Sequence, residues 1–239
     1  MSSSNTVLYA RWLIALWRTR MFLHYQHRIP SDGAVIVVSN HRSFMDPILL
    51  TAALDRPIRF ACHHYMGQVP LLRELVIGLG AFPLKDPLNR PQQFFNQASE
   101  LLTHQEMVGI FPEGAEPMVK VTSPQTLGKF HRGFAHLALR TNLEQLAVLP
   151  VAIAVDKEQL TQSLVPLKVL SWFDPSEPFF DQPGLHPIVF YQRVNVLVGQ
   201  PYWITPTMQQ AYRGKGAKAM VQDLTDYCKQ EISSLLQPN

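Results

Sequence analysis

His41 and Asp46 stand five residues apart in the run Ser39-Asn-His-Arg-Ser-Phe-Met-Asp46. An imidazole has a reference pKa of about 6.5, so it exchanges protons near neutrality. A carboxylate bonded to one ring nitrogen fixes the tautomer and stabilises the imidazolium, which leaves the other nitrogen to take a proton from a hydroxyl. With no serine attached to the pair, the nucleophile would be a substrate's own alcohol. On a regular helix five residues turn through about 500°, so the two side chains would share no face. They meet only if residues 41–45 form a turn that leads into a helix. Pro47 favours such a turn, because the residue before a proline avoids the helical region. The plainer alternative makes Asp46 the N-cap and Pro47 the first residue of a helix, with His41 a polar loop residue.

Three further segments carry groups of interest. Phe111-Pro-Glu-Gly114 ends an apolar run: Pro112 stops a ladder, Gly114 permits a tight bend, and Glu113 is left at the sheet's edge. An exposed carboxylate there can accept a hydrogen bond from an alcohol or orient a basic residue. Lys129-Phe-His-Arg-Gly133 opens the next helix and would bring cations beside Glu113, and Leu149-Pro-Val-Ala-Ile153 is a third strand near the site. A metal hydrolase built on His63 and His64 is disfavoured. Adjacent histidines point to different faces, and the His-x-x-x-His spacing of helical zinc sites is missing.

These residues need a scaffold. Ala34–Val38 is a continuous β-branched run, the signature of a buried, parallel strand, and it delivers His41 at its C-terminal end, where sites form in open α/β sheets. The chain then alternates. Strands are expected over 58–61, 80–84, 107–111, 147–155, 168–173 and 188–198, and helices over 47–54, 70–77, 91–104, 131–141 and 207–236, with a Pro-rich loop over 174–187. Such alternation predicts an α/β fold, a mostly parallel sheet flanked by helices. Residues 30–239 form a single domain. Residues 1–29 precede it as an amphipathic membrane-contact helix over 6–29, in which Trp12, Trp17, Arg11, Arg18, Arg20 and Arg28 suit a bilayer interface. Packing of that helix on the core is the alternative.

The 239 residues suffice for one α/β domain with a real core. Charged residues make up 16%, below the usual quarter. The net charge of +3 leaves no strong nucleic-acid footprint. Two cysteines far apart, Cys62 and Cys228, build neither a disulfide framework nor a metal knuckle and fit a reducing compartment. No apolar stretch reaches the length of a spanning helix, and no secretory signal is evident.

The set resembles the lysophospholipid/glycerol-phosphate acyltransferase family, the bacterial 1-acylglycerol-3-phosphate acyltransferases above all. The family's first block, Asn-His-x-Ser-x-x-Asp, matches Asn40-His41-Arg42-Ser43-Phe44-Met45-Asp46. Its third matches Phe111-Pro-Glu-Gly114, its fourth Leu149-Pro-Val-Ala-Ile153, and Lys129-Phe-His-Arg-Gly-Phe134 looks familial too. Order and spacing agree across residues 30–200. The resemblance implies that His41 deprotonates the acceptor hydroxyl, with Asp46 holding it. That oxygen then attacks the thioester of acyl-CoA or acyl carrier protein, with no bound cofactor and no metal. Asn40, Ser43, Lys85, Arg90, Glu113, Gly114 and Lys129 would contact substrate, and amides near Pro150 or Gly114 would serve the oxyanion. The implied partners are a lipid acceptor, the thioester donor (acyl carrier protein among the possible ones) and a membrane surface. The implied location is peripheral, on the membrane's cytoplasmic face.

Two blocks depart from the family. Ala115-Glu116-Pro117 stands where Thr-Arg-Ser is usual, and Gly80-Ala-Phe-Pro-Leu-Lys85 carries a lysine in place of an arginine fork, with Arg90 nearby to compensate. Three readings therefore stay open: a phosphorylated acceptor, an acyltransferase for a non-phosphorylated alcohol, and a non-catalytic lipid-binding member of the fold.

Overall fold

Val7, Ala10, Leu13 and Ile14 recur at helical spacing and form the buried face of α1 (Ser3–Leu16) in the computed structural model. Residues 3–62, 78, 80–83, 90–114, 116–120, 122–166, 184–212, 214 and 216–237 are described. The helix expected to run on to residue 29 stops at Leu16. Arg18 takes a left-handed conformation (φ 54°), the Arg18 N–H donates to Ala15 O, and the Thr19 N–H donates to Ile14 O. That is a Schellman stop made without glycine, so no residue type announced it. The chain then enters the sheet as β1 (Arg20–His24), parallel to β7 (Leu185–Val198), followed by a 3-10 turn over Gln26–Arg28.

The next elements are β2 (Ala34–Ser39), α2 (Asp46–Leu54), β3 (Ile58–Cys62), β4 (Phe82–Pro83), α3 (Arg90–Thr103) and β5 (Met107–Ile110). After them come α4 (Glu116–Val119), α5 (Gly133–Arg140), β6 (Leu146–Pro166), β7, β8 (Tyr202–Ile204), α6 (Pro206–Tyr212) and α7 (Ala217–Leu236). The sheet order is β1-β7-β6-β2-β5-β3-β4, with β8 on the free side of β6. All described pairings are parallel except β6 with β7 and β6 with β8.

β2 is central and its six residues are all buried. Val35 and Val37 face the layer of α1 and α2, while Ala34, Ile36 and Val38 face α3, α5 and α7. A strand covered on both faces reads as a continuous apolar run.

Three expectations need correction besides the N-terminal helix. The strand expected over 147–155 is 21 residues long and forms an antiparallel arm with β7. That arm draws in Leu185, His186 and Pro187, which were expected in a loop. The single helix expected over 207–236 breaks into α6 and α7 around Gly214 and Gly216, since glycine disfavours helix interiors. The helix expected over 70–77 and the strand expected over 168–173 lie outside the described residues.

Candidate active site

β2 ends at Ser39, paired with Val151 of β6, and on its other side Val38 pairs with Ile110 of β5. The parallel register therefore brings residues 40–43, 111–114 and 150–153 to one edge of the sheet. Asn40 ties two of these segments. Its amide nitrogen donates to Ile153 O at 3.0 Å, and its amide oxygen accepts from the Ile153 N–H at 2.8 Å.

His41 and Asp46 meet: Nδ1 lies 2.8 Å from Asp46 Oδ2. The turn that allows this is held by the carboxylate itself. Oδ2 also accepts from the backbone N–H groups of Arg42 (2.7 Å) and Ser43 (2.8 Å), and Oδ1 accepts from the Tyr191 hydroxyl (2.8 Å). The Arg42 and Ser43 N–H groups can only donate, so Oδ2 is an acceptor, which assigns the hydrogen to His41 Nδ1 and leaves Nε2 its lone pair. Asp46 is fully buried, whereas the His41 side chain keeps 15% of its surface exposed. The expected N-cap role of Asp46 shifts by one residue. Met45 occupies the cap position without a side-chain cap bond and Asp46 begins the helix, because its carboxylate turns back to the loop amides. An acid in a helix's first turn is also favourably placed against the macrodipole.

The imidazole lies flat on Phe111, with ring centroids 4.0 Å apart and planes at 11°, and Phe111 stacks in turn on Phe60 at 5.2 Å. Gly109 makes room for this ladder, since a Cβ there would sit 2.1 Å from a ring carbon of Phe60.

Glu113 is not the exposed carboxylate expected at the sheet's edge, being only 5% exposed. Oε1 accepts from the His41 N–H at 3.1 Å and Oε2 from the Gly128 N–H. Burial pushes its carboxyl up from the ordinary range, against the pull of those two amides. Among the described residues no ion pair to Glu113 is formed: Lys129 is exposed, and Oε2 has the Gly128 amide as partner. Gly128 is needed there, because a Cβ would fall 2.9 Å from Oε2. Gly114 has φ +69°, which confirms the tight bend, and its N–H donates to Phe111 O. Ser43 Oγ donates to Val189 O at 2.6 Å and accepts from the Met45 N–H. Asn40, Ser43 and Glu113, all expected to contact substrate, thus hold protein backbone. Among the amides near Pro150 or Gly114 expected for the oxyanion, that of Gly114 itself closes the turn onto Phe111 O. Arg90 opens α3. Lys85, His63 and His64 lie outside the described residues. Among the described residues no three His, Cys, Asp or Glu side chains converge as a metal-holding group.

Residues that sequence reasoning missed are Tyr191, Arg42 and Glu158. Arg42 Nε and Nη2 donate to the two oxygens of Glu158, and Nη1 donates to Thr122 O. The Glu158 carboxylate holds the Arg42 guanidinium above its usual ionisation, against the opposing effect of burial. Glu158 lies 116 residues from Arg42 and Tyr191 lies 145 from Asp46, so spacing carried no signal.

A family model described as Acyltransferase matches residues 20–154, more than half of the chain. The chain belongs to the acyltransferase family. The chloroplastic 1-acyl-sn-glycerol-3-phosphate acyltransferase LPAT1 of Arabidopsis thaliana is 29% identical over 124 residues, covering 52% of this chain and 32% of the plant protein. The match thus spans about a third of that relative's length. The crystal structure of PlsC, the 1-acyl-sn-glycerophosphate (LPA) acyltransferase from Thermotoga maritima, superposes with a TM-score of 0.60 at 16% identity, over 98% of this chain and 79% of that one. At that identity the likeness establishes the fold, a central sheet flanked by helices with a helix at the N-terminus.

Proposed function

We propose that this chain transfers a fatty acyl group from an acyl thioester to a hydroxyl of a lysophospholipid or glycerol-phosphate-type acceptor, with His41 as general base. The observation that carries this is the 2.8 Å bond between His41 Nδ1 and an Asp46 carboxylate that accepts three further hydrogen bonds. The acceptor's hydroxyl proton passes to Nε2 as its oxygen attacks the thioester carbonyl. The C–S bond then breaks, and the imidazolium returns its proton to the departing thiolate, so the enzyme ends as it began. The Phe111 face against the ring favours the charged imidazolium in between. The donor is acyl-CoA or an acyl carrier protein thioester, and no cofactor takes part.

We place the reaction at a membrane surface. Leu8, Trp12 and Leu16 recur every fourth residue on the outer face of α1 and are 68%, 57% and 58% exposed. Arg18 and Arg20 lie exposed just beyond. An apolar stripe flanked by arginines suits an anionic bilayer. Trp17, Arg11 and Arg28, also expected there, have protein partners in Phe44, Asp55 and Val198 O. Among the described residues no helix is long and apolar enough to cross a membrane. Two cysteines far apart in the sequence fit the reducing, cytoplasmic face.

Incubation of the pure protein with mixed lysolipids and an acyl donor, followed by mass spectrometry, tests the activity and identifies the acceptor. The expected result is an ester product that disappears in H41A. Product from H41A at the wild-type rate would refute the mechanism.

A further inference from the structure

We infer that Tyr191 is a positioning residue for this acyl transfer, holding Asp46 through its hydroxyl and thereby setting how strongly His41 attracts a proton. The inference rests on the reading of His41 as general base. Tyr191 stands on β7, 145 residues from Asp46 and well beyond the segment that the family model covers. It is 2% exposed and places its hydroxyl 2.8 Å from Asp46 Oδ1, the carboxylate oxygen that neither His41 nor the loop amides use.

The contact belongs to a larger seam. Along β7, Val189 O accepts from Ser43 Oγ, the Tyr191 N–H approaches Met45 Sδ at 3.3 Å, and the phenol reaches Asp46. Val189 and Tyr191, alternate residues of one strand, thus hold Ser43, Met45 and Asp46 in the segment that bears the base. Thr19 Oγ1 donates to Tyr191 O from behind, anchoring the strand to the segment after α1. Asp46 Oδ1 has no other donor among the described residues, so without the phenol it would be a buried, unsatisfied carboxylate oxygen.

The chemistry follows from sharing of charge. A hydroxyl that donates to a carboxylate draws negative charge away from it and weakens its hold on the neighbouring imidazolium. Burial pushes the Tyr191 phenol well above its usual ionisation, so it remains a donor across the working pH range. The other charges facing the group are Arg42 with its partner Glu158, and Glu113 behind the His41 amide. Both replacements at Tyr191 leave these in place.

Acyl transfer is measured against pH for the full-length wild type, Y191F, and a protein carrying 3-fluorotyrosine at position 191. Y191F removes the donor and keeps the ring. The rate should fall roughly tenfold in kcat, the loss of one hydrogen bond to an ionised group, with KM within about twofold. The acidic limb, where His41 must be neutral, should move to higher pH because the imidazolium is held more tightly. Fluorotyrosine is a stronger donor and should move the limb the opposite way. D46N/Y191F should be no slower than D46N, since the phenol acts through Asp46. T19V perturbs the same strand without touching the phenol and should leave the limb in place.

An unmoved limb in Y191F, additivity with D46N, or the same shift in T19V would each mean a packing role and overturn the inference. Should Y191F fail to fold, the fluorotyrosine protein decides alone, and an unchanged profile overturns it. Wild-type turnover in H41A would instead remove the general-base reading itself. An inactive H41A beside a Y191F of wild-type profile would remove only the role of Tyr191.

Discussion

Glu113 accepts a hydrogen bond from the main-chain N–H of His41 at 3.1 Å, reaching across the sheet from the end of β5 to the end of β2. With its second oxygen on the Gly128 amide, it joins three separated segments at the backbone of His41. Side chain and main chain of His41 are thus held by two different carboxylates. Asp46 orients the ring, and Glu113 fixes where the ring is hung.

E113Q should therefore harm both fold and rate. A glutamine offers one acceptor and one NH2 group where two amides converge, so one amide faces a donor. Activity is expected to drop by about 10- to 100-fold, as when a general base is misplaced. The pH dependence has a defined sign. The folded-state carboxyl of Glu113 lies above its ordinary value of 4.5, so the native state binds more protons in that window. Its contribution is fully present below the ordinary value and is lost as pH rises through the folded value. Melting temperatures across this range should show wild type losing ground to E113Q with rising pH. A constant gap would contradict the assignment.

D46N should reduce kcat by about 10²- to 10⁴-fold, because an amide can turn its NH2 toward Nδ1 and favour the wrong tautomer. H41A should lose at least as much, and the double variant little more than H41A. Steady-state kinetics with circular dichroism would separate this from unfolding.

G109A places a methyl into the ring of Phe60. Overpacking of this kind costs about 1–3 kcal/mol, and the displacement passes through Phe111 to the imidazole. A lowered denaturation midpoint together with a lowered kcat is expected. A purely thermodynamic effect would show that the ring ladder does not set the position of the His41 imidazole.

The Arg42–Glu158 pair is 8% and 19% exposed. E158A should destabilise the fold by about 2–4 kcal/mol, as expected when a buried charge loses its partner. R42M/E158M should recover part of that loss. Urea titrations of the single and double variants would measure the coupling.

Replacing Leu8, Trp12 and Leu16 together by alanine should weaken sedimentation with anionic vesicles and leave the melting temperature within a few degrees, since these side chains are exposed. Unchanged sedimentation would assign vesicle binding to another surface.

The frame is legible in the order of residues alone. β2 was legible because a buried parallel strand needs Ala34-Val-Ile-Val-Val38, and the alternation after it demanded helices on both faces. The proximity of His41 and Asp46 was legible as a condition, a turn before Pro47, since both ends of that contact lie within six residues. Contacts between distant segments were not legible. Tyr191, Glu158 and Gly128 reach the site from 145, 116 and 15 residues away along the chain, and their partners follow from the register of β7, β6 and β5. Tertiary structure also decided what Glu113, Ser43 and Asn40 bond to, because a polar side chain at a strand end serves solvent, substrate or backbone according to what folds over it. The stop of α1 at Leu16 was decided the same way. Arg18 accepts a left-handed backbone costing about 1–2 kcal/mol, and the pairing of β1 with β7 offsets it, a term that exists only once the sheet has formed.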